Sequence, residues 1–89
     1  MKKSVHMIVS GRVQGVGFRY FTLSCAESAG VKGTVQNKSD GTVEIYAEAR
    51  PAAIDRFYSM VRKAPALGRV DDVKITTIPE YGYTSFRII

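Results

Sequence analysis

Two runs of alternating residues meet at the tetrapeptide Lys38-Ser39-Asp40-Gly41, and this junction constrains the fold more than any other part of the chain. From Val31 to Asn37, the residues Val31, Gly33, Val35 and Asn37 share one face of a strand, and Lys32, Thr34 and Gln36 share the other. From Thr42 to Ala49, Val43, Ile45 and Ala47 alternate with Glu44, Tyr46 and Glu48. Asp-Gly between two such runs signals a tight hairpin, because both residues tolerate the left-handed backbone that the turn needs. The two strands are therefore neighbours in one sheet.

On either side of the hairpin the period changes to that of a helix. Phe18 to Ala29 places Phe18, Phe21, Cys25 and Ala29 on one stripe, with Glu27 and Ser28 turned away. Gly30 suits the left-handed position that ends such a helix. Beyond the hairpin, Pro51 fits a first helical turn. Ile54, Phe57, Tyr58 and Val61 follow at the spacing of an apolar face, with Asp55, Arg56, Ser59, Arg62 and Lys63 on the wet side and Pro65 and Gly68 as terminators. Ser4 to Ser10, Val70 to Ile78 and Tyr83 to Ile88 read as strands. The first carries apolar side chains on both faces (Val5, Met7 and Val9 on one, Ile8 on the other), so it belongs in the middle of the sheet. The order β-α-β-β-α-β with a short extra C-terminal strand predicts an α+β, ferredoxin-like sandwich. Its antiparallel-type sheet would carry two helices on one face. Residues 1–89 are expected to form one domain.

That topology has a chemical consequence. In a split β-α-β unit the first two strands run the same way, so their carboxyl ends share one edge of the sheet. The glycine-rich loop Gly11 to Gly17 leaves the first strand, and Asn37 ends the second. A glycine turn feeding a helix start offers main-chain N–H groups without internal partners, and the helix dipole favours an anion there. The segment Gln14, Gly15, Val16, Gly17, Phe18 and Arg19 is thus a candidate phosphate cradle, with Arg19 adding a two-pronged cationic contact. Asn37, able to donate and to accept, suits a water held in line with the phosphorus. The loop lacks the Gly-Lys-Ser/Thr of nucleotide-binding loops and has the wrong glycine order for a dinucleotide fingerprint.

Composition narrows the partners. Thirteen Lys and Arg against eight Asp and Glu leave a net charge of +5, which attracts anions without naming one. One cysteine cannot form an internal disulfide framework, and no apolar run is long enough for a membrane span or a signal peptide, so a cytoplasmic protein with no membrane partner is expected. Cys25 reads as a buried helix residue, His6 as an ordinary strand residue, and Asp71-Asp72 as a solvated pair. The rival reading is an RNA-binding sandwich with aromatics on its central strands. Strand three supplies only Tyr46 and strand one none, so no nucleic-acid partner is expected.

The string Val9-Ser10-Gly11-Arg12-Val13-Gln14-Gly15-Val16-Gly17-Phe18-Arg19 resembles the first signature of the acylphosphatase family, and Gly33 to Val43 is similar to the second. The chain departs from the family pattern at Thr34, where an aromatic is usual, and at Ala49, where a glycine is usual. The resemblance implies hydrolysis of a small-molecule acyl phosphate to a carboxylate and inorganic phosphate. Arg19 would be the phosphate-binding arginine and Asn37 the residue that orients water, with no metal and no organic cofactor. A monomer is the corresponding expectation. A carbamoyl-phosphate-handling module of the kind found at the front of larger maturation enzymes shares the loop and is a third reading; the length of the chain favours a free-standing enzyme.

Overall fold

The computed structural model describes residues 1–89. Its elements are β1 (Lys3–Arg12), α1 (Phe18–Ala29), β2 (Lys32–Asn37), β3 (Val43–Ala49), α2 (Pro51–Val61), β4 (Arg69–Ile78) and β5 (Phe86–Ile88). They form one five-stranded sheet in the order β4-β1-β3-β2-β5. Both β1 and β2 are antiparallel to β3, so they run parallel to each other with β3 between them. This is the expected ferredoxin-like order. β5 adds a parallel pair at the edge, with Gly33, Val35 and Thr34 opposite Phe86, Ile88 and Arg87.

The alternation of each central strand sends one set of side chains to the helices. Val5, Met7 and Val9 of β1, Val35 of β2, and Val43, Ile45 and Ala47 of β3 are all buried. Against them lie Phe18, Cys25 and Ala26 of α1 and Ile54, Phe57 and Val61 of α2. Each large apolar side chain removed from water here contributes about 1.5–3 kcal/mol. Cys25 is buried as expected, and burial pushes its thiol pKa up, which makes it a packing residue.

Three boundaries and one helix face differ from the sequence reading, each for a physical reason. β1 continues past Ser10 to Arg12, because after a bulge Gly11 and Arg12 still pair with Val70 and Arg69 of β4. The free loop is correspondingly shorter. On α1 the buried stripe is Phe18, Thr22, Cys25 and Ala26, with Phe21 and Ala29 half-buried. Thr22 can sit there because its hydroxyl donates to Phe18 O at 2.9 Å. α2 stops at Val61, leaving Arg62 and Lys63 in a turn that precedes Ala64, a residue with φ of 60°. The last strand begins only at Phe86, because the N–H groups of Tyr81, Gly82 and Tyr83 are taken by the carboxylate of Glu48.

Candidate active site

Register brings the two candidate halves together. Val9 of β1 and Asn37 of β2 both stand opposite Val43 of β3, so the two strands reach the same edge, where β2 ends and β1 runs on to Arg12 beside β4. The chain leaving β1 there turns through Gly15 and Gly17, whose φ angles are 73° and 77°. These left-handed positions suit glycine, and they turn neighbouring N–H groups toward one side. Gly17 is also the N-cap of α1; it has no side chain to cap with, and the first turn holds no acidic residue. Phe21 donates the first bond of the helix, to Gly17 O at 3.0 Å. The N–H groups of Phe18, Arg19 and Tyr20 before it are the orphan donors of the helix start, at the positive end of its dipole.

Arg19 and Asn37, far apart in the chain, line one cleft of about 120 Å³. Gly15, Gly17 and Phe18 line it with them, and so do Val13 and Tyr20, which the sequence reading did not single out. Tyr20 is 70 % exposed and follows Arg19, so it stands at the mouth. Arg19 makes no ion pair: the three in the molecule are His6 with Glu44, Lys38 with Glu44 and Arg69 with Asp71. Its guanidinium therefore has no carboxylate competing with an incoming anion. The side-chain Oδ1 of Asn37 is buried and has no hydrogen-bond partner within the chain. An unpartnered buried acceptor of this kind is uncommon in a folded chain.

Gln14 and Val16 do not line the cleft. The side-chain amide of Gln14 donates to Lys38 O at 2.8 Å and to Thr42 O at 2.9 Å. Both of these carbonyls belong to the hairpin that follows Asn37, so Gln14 clamps the phosphate-loop candidate onto the strand end. Val16 packs half-buried against the core. Only the main-chain N–H groups of these two residues could serve an anion. Asp40 stiffens the same hairpin by accepting from the Thr42 hydroxyl at 2.6 Å and the Thr42 N–H at 3.0 Å. These bonds hold its carboxyl below the usual range, the hydroxyl bond first.

No lining residue of the cleft is Asp, Glu or His. It therefore offers no carboxylate or imidazole for general acid or base work, and the one phenol, Tyr20, stands at its mouth. No three His, Cys, Asp or Glu side chains gather anywhere in the molecule as a metal site. No helix is long and apolar enough to cross a membrane.

Solved structures similar to this chain carry the same arrangement of elements. A curated acylphosphatase from Treponema denticola is 44% identical over 86 residues, spanning 97% of this chain and 92% of that protein. The crystal structure of acylphosphatase from Bacillus subtilis superposes with a TM-score of 0.95 at 38% identity, covering 100% of this chain and 99% of that one. Full-length HypF, in a phosphate- and nucleotide-bound form, matches with a TM-score of 0.93 at 29% identity over 100% of this chain but only 12% of its own. The acylphosphatase family model matches residues 5–88, and with these likenesses the chain belongs to the acylphosphatase family.

Proposed function

We propose that this chain hydrolyses acyl phosphates without a metal ion, with Arg19 and the loop amides from Gln14 to Phe18 binding the phosphoryl group and Asn37 orienting the attacking water. The observation that carries the reading is a shared cleft: an unpaired guanidinium, two left-handed glycines at a helix start and an unpartnered carboxamide all border it. Phosphoryl transfer asks chiefly for positioning and charge neutralisation. Arg19 supplies a charge-assisted, two-pronged contact to the oxygens on which charge gathers.

The absence of acidic and imidazole side chains from the cleft fits this substrate class. An acyl phosphate is a mixed anhydride whose carboxylate leaves without protonation, so no general acid is needed. The attacking water forms the new P–O bond as the bond to the acyl oxygen breaks, and its proton can pass to a phosphate oxygen. Dispensing with a metal then places the charge neutralisation on Arg19 and the main chain.

The reading carries no polynucleotide partner. The test is phosphate release from acetyl phosphate in excess chelator, beside an unactivated monoester such as phenyl phosphate. Release from the first and not the second supports the reading. Loss of activity on chelation, or equal cleavage of both, overturns it.

A further inference from the structure

The larger cavity in the molecule lies away from the phosphate loop, over β2 and the segment that leads into β5. It encloses about 290 Å³, against about 120 Å³ for the cleft at Arg19. Its floor includes Gly33 and Thr34 of β2, and Thr34 is small. Gly33 is held as glycine by the neighbouring strand, since a Cβ there would meet Tyr46 O. Its wall is a pair of aromatics, Tyr81 and Tyr83, with ring centroids 4.5 Å apart and planes at 33°. Tyr81 is 76% exposed, a large ring held out in solvent.

The wall is fixed in place rather than trailing from the last strand. Glu48, itself 2% exposed, accepts from Tyr81 N–H at 2.7 Å, from Gly82 N–H at 3.0 Å, from Tyr83 N–H at 3.0 Å and from the Ser4 hydroxyl at 2.6 Å. Four donors absorb its charge, so little of it is left to repel an anion nearby. Burial, and then the neighbouring Tyr81, Tyr46 and Glu48, raise the Tyr83 pKa and keep its phenol neutral. Arg87 lines the same cavity and has no carboxylate within ion-pair distance. Its position across from Thr34 in the β2–β5 pair puts its side chain on the same face of the sheet as Thr34.

We propose that this cavity is a second binding site, which takes a planar aromatic ring bearing one anionic group, the ring stacked on Tyr81 and Tyr83 above Thr34 and the anion on the Arg87 guanidinium. A preformed aromatic wall costs little ordering entropy on binding, and aromatic stacking beside one charge-assisted contact is a complete recognition unit for such a ligand. The site is separate from the phosphate cleft and does not depend on the reaction proposed there.

The test is amide chemical-shift titration of the intact chain with benzoate and, separately, with phenyl phosphate, each in saturating inorganic phosphate to occupy the loop. We expect saturable shifts at Gly33, Gly82 and Arg87 but none at Gly15 and Gly17. The affinity should fall by about tenfold or more with benzyl alcohol, which lacks the charge, and in Arg87→Gln. Thr34→Trp should fill the cavity and abolish the shifts. Saturable binding of either anion supports the proposal, and the tighter of the two identifies the preferred group. Absence of saturation with both, or an unchanged affinity in Arg87→Gln, overturns it. A separate titration with phosphate alone, read at Gly15 and Gly17, reports on the loop, so failure of one site is not mistaken for failure of the other.

Discussion

Replacing Asn37 with alanine separates a residue held for chemistry from one held for structure. Its Oδ1 is buried without a partner, and an unsatisfied buried acceptor costs the folded state about 1–3 kcal/mol. Alanine removes that cost and gives up side-chain packing worth about 1 kcal/mol. The net change should lie between zero and about 2 kcal/mol in favour of the variant. For a domain of this size that leaves Tm unchanged or raises it by up to about 10 °C. Turnover should move the other way, falling about 10²- to 10⁴-fold, or about 3–5 kcal/mol of transition-state stabilisation. Affinity for inorganic phosphate should hold, because Arg19 and the loop amides remain. Thermal melts by circular dichroism, phosphate release from acetyl phosphate and a phosphate titration measure the three quantities. A Tm lowered by about 10 °C together with the lost turnover would show that the side chain serves the fold, and near-normal turnover would refute its role with water.

Arg19→Ala should lose both phosphate affinity and rate, by about 10³-fold or more in kcat/KM, since it removes the one side-chain cation of the cleft; a loss under tenfold would contradict the assignment. Gln14→Ala breaks both bonds between the loop and the hairpin, and should raise KM and lower kcat together by about tenfold while Tm falls only slightly; unchanged kinetics would show that the loop holds itself. Glu48→Gln keeps one acceptor oxygen but turns an amide toward the remaining donors, and should cost about 2–4 kcal/mol at pH 7 in a urea melt. Because its hydrogen bonds, that of Ser4 first, lower the pKa of Glu48, its stabilisation is complete above the normal glutamate value of about 4.3 and is lost as the pH falls through the lower folded value. The gap between wild type and variant should therefore close in acid, and a gap that stays constant with pH would count against the carboxylate.

The element order and the meeting of the glycine loop with Asn37 were legible from the chain, because alternation, helical spacing and the Asp-Gly turn are local signals. What the sequence reading missed depends on partners far away in the chain. Arg12 remains a strand residue only because Arg69 lies beside it. Gln14 reads as a cradle residue until its amide is found on the carbonyls of Lys38 and Thr42. Tyr83 opens a segment of strand-favouring residues, but a buried carboxylate on β3 claims its N–H before β5 can. Tyr20 could have been suspected, as an aromatic next to Arg19 that falls outside the apolar stripe of its helix.

Val43 has a further consequence. With Val9 on one side and Asn37 on the other, it is the rung on which both walls of the cleft are hung. Under the proposed reaction, the separation of the loop from Asn37 starts from the spacing of the strands that carry them. Removing one residue from the middle of β3 would break the alternation that sends Val43, Ile45 and Ala47 to the helices, and would shift one end of that strand by about 3.3 Å against its neighbours. In this molecule the sheet is the gauge against which the proposed site is aligned.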